Sequence, residues 1–274
     1  MKKLFMLFVI FNFMFFPVYA GADRYSKEYL QSKKHFAIIN PIVEHCVESA
    51  IKKTLKKQTG ANFKVHFDGY TTSSMKQGIF KHLELSGENL IVEEIPVPYV
   101  HLKSLTDYNY IDYTKNPIVY KADMIFQYDM LLTQDSLNSA LKDRNYQKTM
   151  NRVNKLAYPM FHLSTISTKI IKNRLYIVMN YNLPLAKSQK NKTFVASTDL
   201  KIENGKIKAK NVHIDSIYGN LGLDRVANLI NLLNPLEFTL AQMDTKNFRG
   251  KIENVNIIDN NIKVDGKIFI KEDK

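Results

Sequence analysis

Cysteine occurs once in 274 residues, at Cys46, so the chain can form neither an intramolecular disulfide nor a multi-cysteine zinc site. Glycine numbers 10 and proline 8, which excludes collagen-like repeats and Pro-rich linkers. Arginine is confined to Arg24, Arg144, Arg152, Arg174, Arg225 and Arg249, so lysine carries nearly all of the +13 net charge. Proteins that read phosphates and base edges lean on arginine's bidentate fork, and this chain hardly uses it. The signatures G-x-S-x-G, G-x-x-x-x-G-K-[ST], G-x-G-x-x-G and H-E-x-x-H are all missing. Beyond residue 20 no apolar run approaches the roughly 20 residues that a membrane-spanning helix needs. These absences argue against nucleic-acid binding, against the common nucleophilic and metalloprotease chemistries, and against a polytopic membrane protein. No cofactor is expected.

What is present begins at the N-terminus. Lys2 and Lys3 precede an apolar run from Leu4 to Phe16, Pro17 breaks any helix, and Val18-Tyr19-Ala20 leads to Gly21. This order of charged, apolar and small residues is that of a secretory signal peptide over residues 1–20. The alternative is a retained anchor, with Val18 and Tyr19 extending the run to marginal length. On the first reading the mature chain is exported, to the periplasm or cell envelope, and is soluble or peripheral to a membrane. Losing Lys2 and Lys3 takes the net charge from +13 to +11, two lysines fewer.

A polar segment over residues 21–37 comes next, and a single domain is expected over 38–274. Asn40 and Pro41 suit a helix start and Gly60 a helix end. Between them Val43, Val47, Ala50, Ile51 and Leu55 form an apolar face, while Lys52, Lys53, Lys56 and Lys57 form a basic one. Cys46 lies beside the apolar stripe and reads as a buried, inert thiol. The period then changes to 2: Phe63, Val65 and Phe67 alternate with Lys64, His66 and Asp68, as in a half-buried strand. Further strands are expected over residues 79–90, 91–105 (kinked by Pro96 and Pro98) and 118–132. After them come a helix from Thr133 or Asp135 and a second helix over 147–156. Strands resume at 163–171, 174–183, 193–202 and 206–217. A helix over 223–233 precedes closing strands at 248–258 and 262–270. Asn173, Asn204-Gly205 and Asp259-Asn260-Asn261 mark tight turns. Hairpin-linked strands define an α+β class in which a long N-terminal helix packs in a strongly curved antiparallel sheet.

Three strands repeat one spacing: His66-Phe67-Asp68, His82-Leu83-Glu84 and His213-Ile214-Asp215. In each, histidine and carboxylate share a face. Ordinary alternation on amphipathic strands produces the same letters, so no metal site is assigned. A hydrolase built on these pairs requires all three to converge.

Several stretches resemble the secreted LmeA-like phospholipid-binding family, which is related in fold to the tubular lipid-binding (TULIP) proteins. They are Gly78-Ile79-Phe80 with Leu83 and Leu85, the strand-to-helix step from Met130 to Leu137, and the hairpin centred on Asn204-Gly205-Lys206. Leu232-Leu233-Asn234-Pro235-Leu236 and the closing pair over 255–270 complete the set. The resemblance implies a TULIP-like fold and a non-enzymatic, lipid-binding role: holding or shuttling phospholipid or another acyl-chain lipid in the cell envelope. It brings no catalytic residues. Candidate lipid contacts are Val43, Val47, Ile51, Phe63, Val65 and Phe67, where helix and first strand face each other; each also fits plain core packing. Lys52, Lys53, Lys56 and Lys57 are candidates for contact with an anionic membrane surface. The alternative function is an envelope scaffold with a filled core, its protein partner unassigned.

Overall fold

The computed structural model describes residues 25–32, 40–92, 94–115, 117–158, 161–185, 191–214 and 247–273. The signal-peptide reading and the expected helix over 223–233 lie outside the described residues. Within them the elements run α1 (Lys27–Ser32), α2 (Asn40–Thr59), β1 (Phe63–Gly69), α3 (Thr72–Lys76), β2 (Ile79–Val92), β3 (Ile95–Ser104), β4 (Asn109–Asp112), β5 (Val119–Tyr120) and β6 (Met124–Leu132). They continue with α4 (Gln134–Lys142), α5 (Arg144–Ala157), β7 (His162–Ile171), β8 (Arg174–Asn182), β9 (Lys192–Glu203), β10 (Lys206–Ile214), β11 (Phe248–Ile258) and β12 (Asn261–Ile270).

The class is α+β, with antiparallel sheets and few helices. The strands divide between two sheets. An eight-stranded sheet has the order β11-β12-β6-β3-β2-β4-β5, with β1 also pairing β2, and a four-stranded sheet has the order β10-β9-β8-β7. Neither sheet is strongly curled, against the expectation of one curved sheet wrapped on a helix. Cover comes from more than one helix instead: α2 lies on β1, and α4 packs against β3 of one sheet and β7 of the other. One apolar cluster runs through both sheets, from Val47 and Phe63 to Met179 and Ile207.

Local chemistry explains the joints. Lys172-Asn173, Asn204-Gly205 and Asp259-Asn260 all have positive φ at both positions, the geometry of two-residue hairpin turns whose twist matches that of the strands. Gly60, at φ +74, ends α2, with its N–H donating to Lys56 O at 2.9 Å. Thr133 caps α4: its Oγ1 accepts from Ser136 N at 3.2 Å and Ser136 Oγ accepts from Thr133 N at 2.9 Å. Pro96 and Pro98 fall in the half of β3 that pairs β2, whereas pairing with β6 starts at Tyr99. Their missing N–H groups therefore cost no ladder bond on the β6 side. The strand expected over 118–132 is two strands, because Tyr120 N donates to Asp273 Oδ2 at 2.7 Å and is held by the C-terminal segment.

Candidate functional site

The interior between α2 and β1 assembles as the periodicities require. Val47, Ile51, Phe63, Val65 and Phe67 are between 3% and 8% exposed and share one packed cluster, with Val43 half-buried at its margin. A face lining a lipid-sized groove would be reachable by water; these five side chains are not. They are core at this place.

The α2–β1 contact has a second, polar component. β1 bonds to β2 on one side only. Along its other edge Glu44 accepts from Gly69 N at 2.9 Å and Glu48 accepts from Phe67 N at 3.1 Å. The match follows from two pitches: four helical residues rise about 6.0 Å, and two strand residues advance about 6.6–6.8 Å. Carboxylates at i and i+4 thus keep step with alternate N–H groups and cover an edge that otherwise invites pairing with another chain. Asn40 fixes the helix start, its Nδ2 donating to Tyr70 O at 3.1 Å and its Oδ1 accepting from Thr72 Oγ1 at 3.2 Å.

Of the basic face, Lys53, Lys56 and Lys57 are exposed, while Lys52 is half-exposed with its Nζ 3.9 Å from Glu48. Cys46 is exposed, which corrects the buried-thiol expectation. The reason is angular. The apolar stripe advances by four from Val43 to Val47 to Ile51, and Cys46 sits about 100° from Val47, on the side of exposed Ile42, Ser49 and Lys53.

The eight-stranded sheet turns a polar face outwards, and two of the three histidine–carboxylate pairs meet there. The β1–β2 register sets His66 opposite Glu84 and Asp68 opposite His82. His66 Nε2 is 3.4 Å from Asp68 Oδ1, and His82 Nε2 is 3.7 Å from Glu84 Oε2. Two groups join the row that the sequence pattern did not single out. His101 Nε2 lies 2.9 Å from Glu84 Oε1 and its Nδ1 3.5 Å from Asp129 Oδ2, while Ser104 Oγ lies 3.0 Å from His82 Nδ1. His101 carries no carboxylate two residues on, so the spacing that flagged the others passes it by. The hydrogen bond with His101, with added pull from the charges of His101 and Lys103, holds the Glu84 carboxyl below its usual range despite opposing burial. The third pair does not join: His213 is on β10 in the other sheet, and Asp215 lies outside the described residues. The three pairs therefore do not form the single centre that a hydrolase reading requires.

The four-stranded sheet behaves differently. Leu175, Ile177, Met179 and Tyr181 of β8, and Phe194 and Ala196 of β9, are buried. On the same face, registers Ile207↔Ile202, Ala209↔Leu200 and Ile214↔Ala196 place Leu200, Ile202, Ala209 and Ile214 along β9–β10. These four, with Val212, are apolar, only half-buried, and packed against the cluster's rim. The face is thus closed at its centre and half-open along one side. Sequence alternation shows β9 and β10 as strands, but not that their ends keep this partial cover.

Among the described residues no helix is long and apolar enough to cross a membrane. No protein-family model, no curated protein and no solved structure matches the chain.

Proposed function

We propose that this is an exported, non-enzymatic lipid-binding protein that holds or shuttles phospholipid-like molecules in the cell envelope, built on a TULIP-like variation of the α+β fold. One observation carries the reading: the half-buried aliphatic ledge of Leu200, Ile202, Ala209, Val212 and Ile214, continuous with the core of the four-stranded sheet. An acyl chain laid on this ledge gains about 0.8 kcal/mol for each methylene removed from water. Some ten methylenes give roughly 8 kcal/mol, the scale of micromolar affinity before ordering costs are subtracted. The resemblance of the 200–207 hairpin and its neighbours to the LmeA-like family supports the same class of ligand. Exposed Lys53, Lys56 and Lys57 on α2 supply a basic surface suited to anionic headgroups.

The test is to extract lipids from the purified mature chain for mass spectrometry, and to follow transfer of labelled phospholipid between vesicles. Co-purified acyl lipid together with catalysed transfer supports the proposal. No recovered lipid and no transfer above the spontaneous rate overturns it.

A second reading, an envelope scaffold with a filled core, is favoured by the closed α2–β1 interior. Leu156 and Tyr158 at the end of α5, 88% and 67% exposed, are where it would dock a protein partner.

A further inference from the structure

We propose that His66, His82 and Asp68, with Glu84 at their side, form a zinc-type divalent metal site on the outer face of the β1–β2 hairpin. The site lies on the opposite face of the sheet from the apolar core and is independent of the lipid reading.

The register makes a square of alternating ligand types. His66 faces Glu84, Asp68 faces His82, and the two imidazoles occupy one diagonal with ring centroids 6.5 Å apart. An ion bound by both Nε2 atoms lies roughly 3.2 Å from each centroid, so the rings can share it at separations up to about 6.4 Å and at about 5.2 Å for a tetrahedral angle. Two ligands of a tetrahedral zinc lie about 3.4 Å apart. The separation of His66 Nε2 from Asp68 Oδ1 is 3.4 Å, and that of His82 Nε2 from Glu84 Oε2 is 3.7 Å.

The outer nitrogens are provided for as well. His66 Nδ1 lies 3.6 Å from Glu48 Oε1 on α2, and His82 Nδ1 lies 3.0 Å from Ser104 Oγ on β3. Ser104 Oγ already accepts from Leu83 N at 2.9 Å and has a second lone pair for an Nδ1–H. Metal-bound histidines characteristically give their other N–H to a carboxylate, carbonyl or hydroxyl, which fixes the ring and selects the tautomer that leaves Nε2 free. Both rings here direct Nδ1 to such a partner and Nε2 towards a carboxylate of the square.

As the side chains stand, the described residues hold no preassembled group of three or more ligands for an ion. Binding therefore has to draw the two rings together by about 1 Å, a small side-chain rotation against the tetrahedral distance above. His66 is free to make it, its side chain being 64% exposed. Glu48, Asp68 and Glu84 place three carboxylates around the point, which favours a cation and pairs with imidazole to suit zinc over calcium or magnesium.

The experiment titrates chelator-treated, untagged mature protein with zinc chloride by calorimetry at pH 7.5. It is repeated on H66Q, H82Q, D68N and E48Q, with H45Q and H213Q as controls, and circular dichroism confirms the fold of each. The expected result is one zinc per chain, with H66Q and H82Q each weakening affinity at least about tenfold and E48Q by about tenfold. H45Q and H213Q are expected to stay within about twofold of the parent. Long-range proton–nitrogen NMR is expected to show the Nε2 signals of His66 and His82 moving together. No saturable binding below about 1 mM zinc overturns the proposal, as does binding that survives in both H66Q and D68N with unchanged affinity.

Discussion

The corner built from α2, β1 and β2 and the ledge along β9 and β10 both set aliphatic strand faces against the same core, yet they finish them in opposite ways. At the corner every inward side chain of β1 is buried, the free strand edge is held by Glu44 and Glu48, and the outer face is a row of histidines and carboxylates. At the ledge the inward aliphatics are half-covered, and among the described residues no histidine–carboxylate row lines the sheet's other face. A region whose polar and apolar valences are all met is suited to carrying load, and one that leaves apolar surface half-open is suited to receiving something apolar. The functional assignment rests on that contrast.

The largest expected effect comes from breaking the corner. Phe67→Ala removes a ring that is 3% exposed and stacked near Phe80, with centroids 5.5 Å apart. It should lower stability by about 3–5 kcal/mol, measured by urea unfolding. Leu200→Ala or Ile202→Ala on the ledge should lower it by no more than about 1–2 kcal/mol, since half-buried side chains lose less on truncation. The same ledge variants should reduce lipid transfer several-fold. If the ledge variants proved as destabilising as Phe67→Ala, the two regions would not differ and the contrast would fail.

Next in size is the strand edge. Removing both carboxylates in Glu44→Ala/Glu48→Ala leaves Gly69 N and Phe67 N without their acceptors. A loss of about 1–3 kcal/mol is expected, together with concentration-dependent self-association visible by light scattering.

The smallest effect is one of pH. Glu84 has its carboxyl lowered from 4.5 by the bond with His101, so its share of stability is present above pH 4.5 and is lost as pH falls through the lower folded-state value. Glu84→Gln should flatten the acid limb of a stability–pH curve and leave the neutral region nearly unchanged. At the other end of the scale, burial and the Asp273 charge push Tyr120 up to about 12, and burial and Asp107 do the same for Tyr70. Their share of stability is complete below pH 10 and falls away towards pH 12. An absorbance titration should accordingly show these phenols ionising late, together with unfolding.

The hairpins were readable because asparagine, aspartate and glycine accept positive φ, so Asn173, Asn204-Gly205 and Asp259-Asn260 announce themselves locally. The long helix was readable from its stripe and from Gly60. Register was not. Nothing near His66 in the chain says that Glu84 will stand opposite it, and the His66–His82 square exists only once β1 and β2 are aligned. Tyr120 failed as part of one long strand for the same reason, since its partner Asp273 lies 153 residues away. Cys46 was misjudged by one position on a helix, where a step of about 100° separates core from water. Curvature and the division into two sheets depend on which helices cover which faces, and alternation along single strands does not encode that.

The most direct test of the contrast is methyl NMR on the isoleucine-, leucine- and valine-labelled mature chain titrated with a phospholipid. Leu200, Ile202, Val212 and Ile214 should shift and broaden, while Val47, Ile51 and Val65 stay fixed. Shifts confined to Val47, Ile51 and Val65, or none at any of these positions, would contradict it.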